Sequence, residues 1–571
     1  MAGDIREPFQ RRHGRLINER QSWVSHWKEL NEYILPRRGR FIGSALKTQN
    51  QPNRGDKINQ KIIDNEATRS LGILVAGLIS GVTSPARKWF QLRTPDNDMM
   101  EYGPVKGWLK AVEDQMYQIF AESNFYQVLP SVYEEMGCYG TGAMMQFDDY
   151  ENVVRFQAFS TGEYCLAQDY TYTVNSIYRD CQLTVEQVVT QYGLENCSQS
   201  VKDRYSKGDY DGWVEVVHLI EPNSLDGGEY WGDDKVVTLF GAKRTNDMPW
   251  RMVCYEKGGT DNMLLSSSGF PAFPVYAPRW HLQVPDVYGR GPGMNCLGDV
   301  KQLQDQQKKK GQAIAKMVNP PMVADPGMKN QRMTTLPGDV TFADTSTTGG
   351  FKPAYQLQPR LHEFVQDMED CRRRIQASFY ADVFQAITQM EGIQPRNEIE
   401  LTERREEKLL VLGPVLQRLN HDLLDPLIDN MFTRMMAVQM VPPPPPELQG
   451  QPLKVEYISM MARAQKSQGI LGLQDTAQFV GSLAAINPEV VDKFDFDQSV
   501  DEFGELRGVP PGVIKTDDQV AELRQARQQQ MQQQQAMETA NQAAQGAKLL
   551  GETNTQEGNL LSDMIAGVGS P

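Results

Sequence analysis

The sequence predicts an α+β fold that is mainly helical. Three observations support this prediction: long stretches with apolar residues at three- and four-residue spacing, one block of alternating strands at about 153–280, and no apolar run long enough to cross a membrane. The most apolar run, residues 71–82, has twelve residues, whereas a bilayer needs about twenty. We therefore expect this run to be a buried helix.

The composition is that of a folded chain with several domains. Its 571 residues are 40% apolar and 9% aromatic, which is enough to bury a core. The seven cysteines form no CxxC pair and the histidines are isolated, so the sequence indicates a reducing compartment and predicts no metal site and no cofactor. Charged residues interrupt the first ten positions, so we expect no signal peptide and a cytoplasmic location.

The charge is uneven along the chain. A formal net charge of −15 argues against a simple basic DNA-binding module. Residues 1–60 nevertheless hold 12 Arg+Lys and 6 Asp+Glu, a net charge of +6, which leaves −21 for the remainder. This basic arm either contacts an acidic partner or is a solvated end of the chain.

The periodic segments of the first half come in a definite order. Helices are expected at 16–36, 65–82 and 104–146. The strand block follows, with the alternating stretches VVRFQAF, WVEVVHLI, KVVTLF and RMVCYEK. A helix is then expected at 298–318, and it ends at NPP because proline cannot continue a helix.

The second half is predicted to be mostly helical. Residues 319–357, rich in Pro, Gly and Thr, indicate a loop-and-strand module with DVTFADT as a strand, and an amphipathic helix follows to Phe379. Gly392 and Pro395 predict a break in the next segment, YADVFQAITQMEGIQPRN. A long helix at about 397–439 is expected to kink at Gly413 and Pro414. After the stiff spacer VPPPPPELQGQP, we expect a strand (LKVEYI), three or four helices and a last helix at about 516–549.

No motif indicates catalysis. YGRGPGMN (288–295) lacks the spacing of a phosphate loop, GTGAM (140–144) lacks a serine elbow, and TERREEK (402–408) is explained by solvated ion pairs. The sequence therefore predicts a protein that is not an enzyme. The run Lys308, Lys309 and Lys310 is either a solvated face or, if several copies surround an axis, a ring of ammonium groups around a passage for DNA.

The order of these segments resembles that of the portal protein, or head-to-tail connector, of short-tailed bacteriophages. The likeness is carried by residues 65–92, 287–304, 398–432 and 507–527, and its most specific part is LGPVLQRL followed by LLDPLI. The resemblance implies a portal-type subunit with these parts: a wing at 1–290 and 397–455, stem helices at 291–318 and 358–379, a clip at 319–357, a tunnel loop at 380–396, a crown at 456–515, and a C-terminal barrel helix and tail at 516–571.

The resemblance also implies an assembly and its partners. The chain would form a ring of about twelve copies at the head–tail vertex of the virion, after assembly in the host cytoplasm. Double-stranded DNA would pass through the ring during packaging and ejection. The implied protein partners are the packaging terminase, the tail adaptor, and the major capsid and scaffolding proteins, and no membrane is involved. The rival classes are an internal capsid scaffolding protein and, with less support, a nuclease or ATPase.

Individual residues receive roles from this resemblance. The tunnel loop would bring mostly uncharged side chains near DNA: Gln385, Thr388, Gln389, Glu391, Gly392 and Gln394. At least one of the candidate channel lysines Lys308, Lys309 and Lys310 would face the channel. The glutamine-rich helix would join its copies in a barrel, and its residues there include Gln528, Gln532, Ala536, Ala540 and Ala544. A helix that is polar on all sides cannot bury itself against its own chain, so it would need its copies as neighbours. The other interpretation is a disordered glutamine-rich tail.

Overall fold

The structure, a computed structural model, describes residues 5–36, 38, 59–95, 99, 102–149, 151–223, 248–258, 263–324, 329, 352–353, 361–388, 412–448, 453–457, 473, 475–483, 493–507, 515 and 517–552. The fold is α+β and mainly helical, as predicted. The helices are α1 Glu7–Tyr33, α2 Glu66–Gly81, α3 Gly103–Glu122, α4 Phe125–Tyr139, α5 Val185–Tyr192, α6 Gln199–Ser206, α7 Pro292–Val318, α8 Leu361–Ser378, α9 Ala381–Thr388, α10 Gly413–Leu419, α11 Asp425–Ala437, α12 Phe496–Arg507 and α13 Asp517–Glu552.

The described strands form four antiparallel sheets. They are β1 Phe90–Arg93, β2 Ala143–Asp149, β3 Val153–Phe159, β4 Tyr164–Gln168, β5 Val174–Thr184, β6 Trp213–Pro222, β7 Trp250–Glu256, β8 Ser266–Phe270, β9 Val275–Tyr276, β10 Met322–Val323, β11 Lys352–Pro353 and β12 Lys454–Tyr457. The largest sheet has the order β4-β5-β6-β7-β8, and a smaller one has the order β3-β2-β9. The remaining pairs are β1 with β12 and β10 with β11. The β1–β12 pair joins residues that are far apart in sequence, with Phe90 opposite Tyr457.

Several predicted elements are confirmed. The apolar run 71–82 lies within α2 up to Gly81, and Val82 follows as the C-cap; Leu71, Leu74 and Leu78 are buried. The predicted helices 298–318, 361–379 and 516–549 correspond to α7, α8 and α13, and the strand LKVEYI corresponds to β12. VVRFQAF, WVEVVHLI and RMVCYEK correspond to β3, β6 and β7. The predicted strands KVVTLF and DVTFADT lie outside the described residues.

Two helix predictions in the first part of the chain need correction. α1 begins at Glu7 rather than at residue 16, because Pro8 suits the first turn of a helix. The predicted helix at 104–146 is two helices and a strand. α3 stops before Ser123, whose backbone is extended. α4 stops before Gly140, whose φ of +86° is accessible to glycine at little cost. The chain then enters β2.

One main hydrophobic core connects the helices. Trp27 and Leu30 of α1, Leu74 of α2 and Met136 of α4 belong to it, together with side chains from α7, α8 and α11. α2 and α4 approach closely at Gly137, where a Cβ would lie 2.8 Å from Leu71 Cδ1. Such close packing transmits any displacement of α2 to its neighbours.

A buried ion network attaches the N-terminal half of α1 to the five-stranded sheet. The Glu221 carboxylate, on β6, is 1% exposed and accepts hydrogen bonds from Arg12 of α1, from Tyr178 and from Arg251. The distance from Arg251 Nε to Glu221 Oε1 is 2.8 Å. Two arginines and a hydroxyl thus compensate one buried charge, as a carboxylate removed from water requires.

A second buried carboxylate connects α4 with the loop after β3. Glu135 accepts hydrogen bonds from Arg38 Nε, from the Thr161 N–H and from Thr161 Oγ1, each at 3.0 Å. Burial raises the pKa of Glu135 to about 8, although Arg38 and Thr161 favour the charged form. The folded protein therefore holds this proton more tightly than the unfolded chain does.

We predict that Glu221→Ala destabilises the subunit by about 3–5 kcal/mol, because it removes the counter-charge of buried arginine side chains. Denaturant unfolding measures this change. Glu151→Ala is the matched control, because Glu151 is exposed in a turn and should cost less than about 0.5 kcal/mol. Equal midpoints for the two variants would contradict the role of the network.

The raised pKa of Glu135 predicts a specific dependence of stability on pH. Between the unfolded pKa of about 4.3 and the folded value of about 8, the native state binds more protons, so the contribution of Glu135 to stability falls as pH rises. Glu135→Gln should therefore lose less stability than the unmodified protein between about pH 5 and pH 8. Urea midpoints at three pH values measure the slopes, and parallel slopes would refute the prediction.

Candidate functional site

The two predicted stem helices pack against each other and run antiparallel. Gln306 on α7 donates to Asp367 on α8, while Asp299, two turns earlier on α7, accepts from Arg374 at 2.9 Å. The contacts therefore advance in opposite directions along the two helices. Val300 and Leu303 of α7 and Ile375 of α8 are buried in the main core.

The base of this helix pair is fixed to the start of α2. Gln304 Oε1 accepts from the backbone N–H groups of Ile63 and Asp64 at 2.7 and 2.8 Å, and its Nε2 donates to the Asp64 carbonyl at 2.7 Å. Arg372 of α8 forms a salt bridge of 2.7 Å with the Asp64 carboxylate. This hydrogen bond raises the pKa of Arg372 above its usual value. The two stem helices and α2 thus share one polar junction.

The outer half of α7 is basic and exposed. Residues 306–318 contain four lysines and no acid. Of the predicted channel lysines, Lys308 and Lys309 are exposed and Lys310 is half-buried. Lys309 forms a salt bridge of 2.6 Å with Asp305, one turn earlier on the same helix. The lysines are therefore accessible on the outer stem, and which of them faces a channel stays a prediction.

The predicted tunnel loop needs correction in its first half. α8 ends at Ser378, and Tyr380 has a φ of +55° that redirects the chain. α9 then begins at Ala381 and continues to Thr388, so that Gln385 and Thr388 lie in a helix. A helix forms here because Ala381, Val383 and Phe384 find a buried surface. Gln389, Glu391, Gly392 and Gln394 lie outside the described residues.

The predicted kink at Gly413 and Pro414 stays a prediction, because the described helix begins there. These two residues form the first turn of α10, where the missing N–H of proline costs nothing. Further along, the described helix changes to a π-helical turn at Asn420–Leu424. Pro426 follows this turn and cannot donate to the carbonyl four residues before it, which explains why the ladder changes there. Residues 389–411 lie outside the described part of the chain.

The π-helical turn places a buried carboxylate beside Arg279. Asp422 accepts from Arg279 Nε at 2.9 Å and from Arg279 Nη2 at 3.2 Å. Arg279 Nη2 also donates to the Tyr172 carbonyl at 3.0 Å. This pair joins α10 and α11 to the β4–β5 hairpin, and the sequence contained no signal for it.

The glutamine-rich segment is helical. α13 extends from Asp517 to Glu552, and its Gln528, Gln532, Ala536 and Ala540 are exposed. The side chain of Ala544 lies outside the described residues. Arg524 forms a salt bridge of 2.7 Å with Asp497 of α12. The helix is confirmed, and its place in a barrel stays a prediction.

The predicted site residues thus lie on separate helices: the lysines on α7, Gln385 and Thr388 on α9, and the barrel residues on α13. Sequence reasoning missed the residues that hold these helices in place, chiefly Gln304, Asp64 and Gly77. The glycines inside the apolar run of α2 were a usable signal, since a glycine in a helical pattern often marks close approach of another element. Within the described residues, no group of three metal-ligating side chains occurs, and no helix is long and apolar enough to span a membrane.

Comparisons with known proteins agree with this architecture. The sequence profile of the family described as "Bacteriophage head to tail connecting protein" matches residues 6–514. The chain is 44% identical to the "Portal protein" of Salmonella phage epsilon15, with all of both chains covered. It is 40% identical to the "Probable portal protein" of Bordetella phage BPP-1, over 97% of this chain and 96% of the relative.

Solved structures give a weaker likeness. A chain of the structure titled "Virion of native gene transfer agent (GTA) particle" aligns with 73% of this chain and 87% of its own length, at 11% identity and a TM-score of 0.32. A likeness at this level supports no argument about assembly. The sequence relatives carry the conclusion, and nothing in them favours the scaffolding alternative. The chain belongs to the bacteriophage head-to-tail connecting protein family and is a portal protein by its similarity to relatives along its whole length.

Proposed function

We propose that this portal protein forms a closed ring of about twelve copies at the head–tail vertex of the virion, and that double-stranded DNA passes through the ring during packaging and ejection. The observation that carries the proposal is the 44% identity to the epsilon15 portal protein over all of both chains. The ring assembles in the host cytoplasm with the major capsid and scaffolding proteins before DNA enters.

The stem and clip would present the ring to its changing partners. The proposed clip is entered from α7 and left toward α8, and its base is the β10–β11 pair, in which Met322 lies opposite Pro353. The β10–β11 pair thus joins the two ends of the proposed clip, next to the C-terminal end of α7. We propose that the packaging terminase binds the clip first and the tail adaptor replaces it.

The proposed role is structural rather than enzymatic. A cavity of about 640 Å³ lies between the five-stranded sheet and α11, and His218 and Cys254 are among the residues that line it. Burial lowers the pKa of His218 to about 3 and raises the pKa of Cys254 to about 12. At neutral pH the imidazole is uncharged and the thiol protonated, so neither group is prepared as a nucleophile or a general base.

The channel itself would be built from three parts of each copy. Lys308, Lys309 and Lys310 supply positive charge in the stem, which attracts phosphate in a salt-dependent way. The segment that starts with α9 approaches the DNA with few charges. α13 adds a barrel whose lumen is lined by neutral amides such as Gln528 and Gln532. The exposure of Lys308, Lys309, Gln528 and Gln532 in one copy supports this arrangement.

Assembly is the first test of the proposed function. The purified full-length chain should form one closed species of about twelve copies, because one head-to-tail interface repeated around an axis closes on itself. Native mass spectrometry measures the copy number. The ring should not hydrolyse ATP. Only monomers and dimers at micromolar concentration would refute the ring, and strong hydrolysis would refute the structural role.

The lysine run is tested by the salt dependence of DNA binding. In rings with Lys308, Lys309 and Lys310 all changed to Gln, the slope of log affinity against log salt should become shallower by about 0.9 or more, because each phosphate contact releases counterions. The control carries Lys106→Gln, Lys110→Gln and Lys207→Gln, which remove the same charge from the wing. Both variants should form intact rings. An unchanged slope in the stem variant, or an equal change in the control, would contradict the assignment.

A further inference from the structure

The contact between α2 and α9 depends on a glycine. Gly77 is buried in the middle of α2, and a Cβ at this position would overlap the ring of Phe384 on α9. The contact involves Cγ, Cδ1 and Cε1 of the ring. Phe384 is only 8% exposed. The aromatic ring therefore occupies the space that any side chain at position 77 would need.

The α2 side of this contact is firmly held. Leu71 and Leu74 pack at Gly137 of α4, and a Cβ on Gly137 would lie 2.8 Å from Leu71 Cδ1. At the start of α2, Glu66 accepts from Gln376 of α8 at 2.7 Å, and Asp64 is bound by Gln304 and Arg372. α2 is thus fixed on faces other than the one that meets α9.

α9 depends on tertiary packing for its stability. α9 has eight residues, fewer than the roughly 12–15 that an isolated helix needs to be stable in water. It follows directly after the left-handed Tyr380, so the helical ladder of α8 does not continue into it. Ala381, Val383 and Phe384 are buried, and Val383 and Phe384 belong to the main core. The position of α9 is therefore set by packing, and the ring of Phe384 is its largest buried group.

We propose that Gly77 is a positioning residue: it forms a socket for Phe384 that holds α9 against α2 and thereby sets where the chain after Thr388 begins. This inference rests on the proposed function, in which that segment approaches the DNA. Because α9 follows the left-handed Tyr380, its position depends on this packing rather than on a helical ladder continued from α8.

The chain offers a matched pair of glycines for the test. Gly72 lies on the same helix, and no atom lies within 4 Å of the position where its Cβ would be. Alanine forms helices better than glycine, so neither Gly72→Ala nor Gly77→Ala should weaken α2 itself. The two variants add the same methyl group to one helix and differ only in the contact with Phe384. The double variant Gly77→Ala with Phe384→Leu removes ring volume and returns space to the socket.

The first measurement is hydrogen exchange of the α9 amides in assembled full-length rings. Gly77→Ala should accelerate exchange in residues 381–388 at least about tenfold, because the displaced ring no longer holds the helix. Exchange in α4 should stay unchanged. Gly72→Ala should match the unmodified ring, and the double variant should recover part of the protection. Unchanged exchange in Gly77→Ala, or equal acceleration in Gly72→Ala, would overturn the socket.

The second measurement is the DNA content of heads assembled with each variant. Gly77→Ala should give fewer filled heads or faster loss of DNA, with Gly72→Ala normal and the double variant intermediate. If the α9 amides exchange faster in Gly77→Ala but its heads fill with DNA and retain it normally, the positioning role is overturned. If unmodified rings themselves do not support packaging, the proposed function fails, whereas the exchange data still decide the socket.

If Gly77→Ala forms no rings, Phe384→Ala replaces it in the exchange measurement. This variant leaves α2 unchanged and should accelerate exchange in α9. Normal protection of α9 in Phe384→Ala would overturn the socket.

Discussion

The packing of α2 is the constraint on which the rest of this region depends. One face of α2 meets α4 at Gly137, its N-terminal end is bound to the stem pair by Gln304 and Arg372, and its middle receives Phe384 at Gly77. Interiors are close-packed, so an element held on several faces moves only together with its neighbours. The base of the α7–α8 pair and α4 therefore share one rigid frame with α2, and α9 is docked on that frame.

Burial decreases with distance from this frame. On α7 the buried side chains end at Gln306, and beyond it Ile314, Met317 and Val318 are exposed beside the lysines. The same holds for α13, whose described side chains are almost all exposed. Helices that one chain cannot bury need neighbours, because packing rather than helix propensity supplies most helix stability. This distribution supports the proposed ring, in which copies of the chain cover one another.

The accuracy of the sequence predictions followed the length of the periodic signal. α2, α7, α8 and α13 are long and uninterrupted, and their predicted bounds are close to those observed. The helix predicted at 104–146 was wrong because apolar spacing continues through Ser123 and into β2, and a short buried strand has the same composition as a helix. The expected loop after Phe379 was wrong up to Thr388 because α9 buries side chains against residues that are distant in sequence. The kink expected at Gly413 and Pro414 stays a prediction, because residues 389–411 lie outside the described part of the chain.

The sequence alone determined the fold class, the order of the helices and the strand block, the basic outer half of α7 and the resemblance to portal proteins. These properties depend on composition and on spacing along one chain. Only the tertiary structure decided the junction of Gln304 with Asp64, the Arg279–Asp422 pair, the buried proton of Glu135 and the seat of Phe384 at Gly77. The physical reason is that each of these interactions joins residues remote in sequence. Their energies come from desolvation and from contact between surfaces, and neither can be derived from local periodicity.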